Sequence, residues 1–98
     1  MQNSYNIICL GDLVGEPGRM MLERHLPRLK ELYQPALVIA NGENSAAGKG
    51  ITSKIMHWFK EQGVDVVTSG NHIWDKNEIY SYLANNNDLL RPANFASE

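Results

Sequence analysis

The sequence predicts an α/β fold, a parallel-sheet β-α-β-α-β-α unit. Three short apolar runs, at residues 5–10, 36–40 and 64–68, have the length and β-branched content of buried strands. Longer segments with loosely helical apolar spacing separate them, and capping or turn residues bound each one. Strands alternating with helices argue for parallel pairing through helical crossovers.

Each element has its own signal. Ile7-Ile8-Cys9-Leu10 is apolar and β-branched, and Gly11-Asp12-Leu13-Val14-Gly15 breaks it. Glu16-Pro17 suits a first helical turn, because proline needs no N–H there and an acid suits the dipole. That helix should reach about Tyr33, with Met20, Met21, Leu22, Leu26, Leu29 and Leu32 on its apolar side. Pro27 predicts a kink or two successive helices near His25-Leu26. Thr52 or Ser53 should cap a second helix through Ile55, Met56, Trp58 and Phe59, with Gly63 as its stop. Asp75 and Glu78 read as a capping box for a third helix over 76–84, ended by Asn85-Asn86-Asn87. Leu89-Leu90 is a candidate fourth strand before Pro92.

Bulk properties narrow the function classes. A chain of 98 residues suits one domain with a modest core. A net charge of −2 argues against an extended nucleic-acid surface but leaves room for a local phosphate site. Cys9 is the only cysteine, so no intramolecular disulfide forms. It reads as a small buried core residue, which fits a reducing cytoplasm. No signal peptide or membrane span is visible in the sequence.

In an open parallel sheet, ligands gather beyond the carboxyl ends of the strands. Asp12 follows the first strand. Asn41, Glu43 and Asn44 follow the second, and Asn71 and His72 follow the third. Singly, each has a plainer role: Asp12 as a helix cap, Asn41 and Asn44 as turn formers around Gly42, His72 as a structural or surface histidine. Together they make a hard, oxygen-rich edge of the kind that suits Mg, Mn, Fe or Zn. Two such ions can activate water and stabilise an in-line displacement, and a histidine outside the metal shell can protonate a leaving oxygen. Gly42, Gly48 and Gly50 would allow close backbone approach to a ligand. "GDLVGEPG" lacks the phase of a dinucleotide-binding G-x-G-x-x-G, and "SAAGKGIT" lacks the first glycine and adjacent hydroxyl of a P-loop.

Four motifs carry a family resemblance: Gly11-Asp12-Leu13-Val14-Gly15, Asn41-Gly42-Glu43-Asn44, Thr68-Ser69-Gly70-Asn71-His72-Ile73-Trp74-Asp75 and Leu90-Arg91-Pro92-Ala93-Asn94. Their order and phrasing resemble the calcineurin-like metallophosphoesterases, and most closely the YmdB-like branch of bacterial phosphodiesterases. Val14 stands where the wider superfamily has the histidine of Asp-x-His, and Glu43 stands for its bridging aspartate. Both departures are features of that branch. The resemblance implies that Asp12 binds a first metal, Glu43 bridges two, Asn44 completes the first metal's set from this half, and Asn71 binds the second. His72 would be the proton donor. It further implies two divalent ions, iron or manganese, and phosphodiester substrates such as cyclic nucleotides.

Family chains are more than twice this length, and their second half supplies further histidine ligands. The resemblance therefore covers the N-terminal half of a two-sheet sandwich, a partial domain over 1–98. His25 and His57 are assigned to helix packing or solvent rather than to metal. Two functions follow: a metal-dependent phosphodiesterase of which this chain carries part of the site, or a non-catalytic fragment that binds metal or phosphate weakly or serves in assembly. Crossovers that progress in one direction put their helices on one sheet face. An uncovered apolar face then predicts self-association, or cover by the missing half.

Overall fold

The computed structural model describes residues 4–46 and 50–94. Four parallel strands, β1 (Ile7–Asp12), β2 (Leu37–Asn41), β3 (Val66–Thr68) and β4 (Leu89–Leu90), pair in the order β1-β2-β3-β4. The connections are α1 (Gly15–Tyr33), α2 (Ser53–Glu61) and α3 (Ile79–Asn85). The expected parallel α/β unit is the observed one, including the two-residue fourth strand. Among the described residues no helix is long and apolar enough to cross a membrane.

One core lies between the sheet and the helices. Val38, Ala40, Val67 and Leu89 supply it from the strands, with Leu22 and Leu26 of α1, Met56 and Phe59 of α2, and Ile79 and Tyr82 of α3. Strand side chains alternate between faces, so the other half of each apolar run points away. Ile8 and Leu10 pack on the core, whereas Ile7 is 56% exposed and Cys9 is an exposed free thiol. The expectation of a buried Cys9 is therefore overturned: its strand is apolar on both sides, but helices cover only one. Leu37, Ile39 and Val66 are half-buried and Leu90 is 48% exposed, which extends this apolar strip across the sheet.

The helices depart from expectation at three points. Helix α1 runs unbroken through Pro27. Glu23 and Pro27 both lie on the exposed side of the helix, away from the core that Leu22 and Leu26 fill, where the loss of one i+4 hydrogen bond is tolerated. Its apolar face is narrower than the sequence suggests: Leu22 and Leu26 are buried, while Met20, Met21 and Leu32 are exposed. The Asp75/Glu78 capping box does not form, and α3 begins at Ile79 without a side-chain cap. Asp75 is bonded to His72, and Glu78 accepts from the Ser53 amide at 3.1 Å. At α2 the cap is Thr52, whose hydroxyl accepts from the Ile55 amide at 3.2 Å, and Gly63 lies just past the end with φ 90°.

Candidate active site

Strand ends build the site. A register irregularity between Leu10 and Asp12 puts Asp12 opposite Asn41, with Gly11 as the extra residue. Bulges of this kind re-aim a side chain at the end of a strand. Beyond β2 the chain turns sharply. Asn41 Oδ1 accepts from the Glu43 amide at 3.1 Å, so Asn41 is a turn former that uses its oxygen locally. Gly42 donates to the Thr68 carbonyl at 2.9 Å, and Ser45, fully buried, donates from Oγ to the Gly42 carbonyl at 2.6 Å. Arg19 of α1 clamps the Ser45 carbonyl, and the Gly15 amide donates to Asn44 O at 2.9 Å. The loop carrying Glu43 and Asn44 is thereby tied to β3 and to the start of α1.

Within this frame Asn44 Nδ2 donates to both Asp12 oxygens, at 3.1 and 3.0 Å. The amide holds the carboxylate of the neighbouring strand end and keeps its own carbonyl oxygen for another partner. Glu43 differs. Its Oε2 is buried without a hydrogen-bond partner. A carboxylate oxygen shut away from water without a donor is costly, of order 1–3 kcal/mol or more for a charged group. The carboxylate lies against Gly70: a Cβ there would fall 2.6 Å from the carboxyl carbon and touch Oε2. Gly70 therefore leaves space that any side chain would take from Glu43.

Asn71 and His72 follow Gly70. Asn71 is exposed. His72 is joined through Nδ1 to Asp75 Oδ2 at 2.9 Å. So Asp12, Glu43, Asn44 and Gly70 come into direct contact in two pairs, while Asn71 and His72 continue the same rim beyond β3. The plainer reading holds for His57, which is exposed and edge-on to Tyr82 at 6.5 Å, and for His25, exposed on α1.

The glycine expectation is corrected. A Cβ on Gly42 would meet Val67 Cγ1 at 2.8 Å and Phe59 at 3.0 Å, so Gly42 faces the core and no ligand. Gly50 packs against the Asp75–Lys76 turn. Gly48 and Lys49 lie outside the described residues, as do 1–3 and 95–98. Gly70, Asp75 and Arg19 are the contributions that strand-end reasoning passed over. The i, i+3 spacing of His72 and Asp75 outside a helix was the available signal for one of them.

Among the described residues no three His, Cys, Asp or Glu side chains form a metal-binding group. What is present is a pair of carboxylates with amides: hard oxygen donors, one of them without a partner. That chemistry fits part of a divalent-cation shell.

A parallel α/β unit with acid and amide side chains beyond its strand ends belongs to the open-sheet proteins that bind ligands at that edge. A sequence profile of the YmdB-like protein family matches residues 8–98, and the chain belongs to that family. The 2',3'-cyclic-nucleotide 2'-phosphodiesterase of Bacillus subtilis (strain 168) is 49% identical over 89 residues, 91% of this chain and 34% of that protein. A crystal structure of a novel phosphatase from Mycoplasma pneumoniae superposes with a TM-score of 0.90 at 42% identity, over 98% of this chain and 34% of the other. A hypothetical protein from Thermus thermophilus gives 0.83 at 41% identity, over 92% and 34%. The chain spans about a third of the length of the relatives it matches.

Proposed function

We propose that the chain carries part of a metal-dependent phosphodiesterase site acting on phosphodiesters such as cyclic nucleotides. The buried, unpartnered Glu43 Oε2 beside Gly70 carries the reading, because it is an acceptor site that a cation would satisfy. Asp12, Glu43, Asn44 and Asn71 would hold two divalent ions, iron or manganese before magnesium or zinc. When bound, such ions supply an activated water and neutralise charge on the phosphate. Asn44 orients Asp12 through its amide protons. Gly70 keeps room around Glu43. His72 hands a proton to the leaving oxygen. The relatives named as phosphodiesterase and phosphatase support this class of reaction.

The test is metal binding and hydrolysis by the purified chain. Mn²⁺ should raise the melting temperature of the wild type and leave Glu43→Gln unmoved. An equal response in both would reject Glu43 as a ligand. One observation favours a weaker role for the isolated chain: with two carboxylates and no third acidic, histidine or cysteine partner among the described residues, each ion is under-coordinated. Metal affinity and turnover of a 2',3'-cyclic nucleotide should then both be low, as for a partial domain that binds metal or phosphate or serves in assembly. Robust hydrolysis by the 98-residue chain would remove that reading.

The open strip of Ile7, Cys9, Leu37, Ile39, Val66 and Leu90 belongs to the same proposal. Monomers rarely leave a contiguous apolar sheet face in water. Self-association, or cover by further chain, would bury it, and light scattering at micromolar concentration distinguishes an oligomer from a monomer. Cytoplasmic residence fits a free thiol left exposed on that face.

A further inference from the structure

We propose that Asp75 is a positioning residue for His72: it holds the imidazole by Nδ1 and so assigns Nε2 as the nitrogen that meets a leaving oxygen. This rests on the reading of His72 as the proton donor. The His72 Nδ1 to Asp75 Oδ2 distance is 2.9 Å, and both side chains are about one-third exposed, open enough to meet a ligand. An ionised aspartate only accepts hydrogen bonds, so the shared proton sits on Nδ1. Nε2 is then the ring nitrogen left for a ligand.

The segment between the two residues is built to hold this pairing. The Asp75 amide donates to the His72 carbonyl at 3.1 Å, and the Ile73 amide donates to Gly70 O at 3.2 Å. Ile73 is fully buried and anchors the turn in the core. Trp74 stacks on Tyr80 of α3 with ring centroids 4.9 Å apart. From the other side, Gly50 with φ 71° brings the approach to α2 against the turn, where a Cβ would sit 3.1 Å from Asp75 Cβ. The capping role that the sequence suggests for Asp75 is vacant, and its carboxylate serves the histidine instead.

The experiment reads the ring nitrogens of the metal-free, ¹⁵N-labelled chain by two-bond ¹H–¹⁵N correlation, at a pH about two units above the ordinary histidine value of about 6.5. His72→Gln assigns the signal among the chain's three histidines. His72 should be the Nδ1–H tautomer. In Asp75→Ala the two ring-nitrogen shifts should exchange toward the Nε2–H form that an unpartnered imidazole prefers, and Asp75→Glu should restore the wild-type pattern. Wild-type His72 in the Nε2–H form overturns the proposal, whether or not the variants fold. So does a folded Asp75→Ala with an unchanged tautomer. Hydrolysis assays on an active, longer relative separate the two readings: an Nδ1–H ring whose histidine can be replaced by alanine with full turnover leaves the pairing standing and removes the proton-donor role. An Nε2–H ring with turnover lost in that variant does the reverse.

Discussion

Val38, Ala40, Val67 and Leu89 line the helix-covered side of the sheet and are almost free of solvent. At the carboxyl ends of β1, β2 and β3 the sheet runs out into Asp12, Asn41, Glu43 and the Gly70-Asn71-His72 turn, which hold polar groups at or near the surface. Packing chose the first set. Their side chains belong to one apolar cluster, and truncating one costs stability. The second set includes a buried carboxylate oxygen with no donor, an arrangement that lowers stability unless something binds. Gly42 and Gly70 show the contrast at a single atom. A methyl on Gly42 meets Val67 and Phe59, and a methyl on Gly70 meets the Glu43 carboxylate. Stability and chemistry meet here within one turn of chain.

That contrast can be broken by substitution. In an active, longer relative, replacing the histidine that corresponds to His72 by alanine should lower turnover by roughly 10²–10⁴-fold, the usual range for a general acid, with metal content near normal. Metal loss in step with activity would place His72 in the ligand set instead. On the core side, Phe59→Ala should cost about 3–5 kcal/mol in denaturant unfolding. A small domain has only about 5–15 kcal/mol in all, so the variant would lose a large share of its stability. A near-native midpoint would mean that α2 is not the lid of the core.

The glycine pair sharpens the comparison. Gly42→Ala should overpack the core and cost about 1–3 kcal/mol while keeping the thermal response to Mn²⁺. Gly70→Ala should abolish that response, because the methyl displaces Glu43. If both variants keep it, the space beside Glu43 is not a cation site.

The smallest effect is a pH dependence confined to the core edge. Tyr82 donates to Asp88 Oδ1 at 2.8 Å. Burial first, then the hydrogen bond and charge of Asp88, push its hydroxyl up to about 12 from 10.0. The folded state thus favours the neutral phenol. Its stabilisation is complete below about pH 10 and is lost as pH rises toward about 12. Melting temperatures followed from about pH 9 upward should fall through this window, and Tyr82→Phe should flatten that part of the profile.

The sequence carried the parallel sheet, the order of elements and the list of polar strand ends, because period, caps and turn chemistry are local. Its local reasoning also erred in local ways. Asp75 has the spacing of a capping box, yet the nearest acceptor need in the folded chain is the His72 ring. Pro27 should break a helix, but α1 runs through it on its exposed side, where one missing hydrogen bond is tolerated.

From its own residues, then, this chain determined that strands would alternate with helices and that Asp12, Glu43, Asn44, Asn71 and His72 would stand at or just past strand ends. The tertiary structure alone decided which half of each apolar run would be covered, and so made Cys9 a surface residue. It alone decided that Asn44 would hold Asp12 and that Glu43 would lie against Gly70 with one oxygen unsatisfied. The reason is that these depend on which elements stack on which face and how closely two loops approach. Those are long-range packing outcomes that leave no periodic trace along the chain.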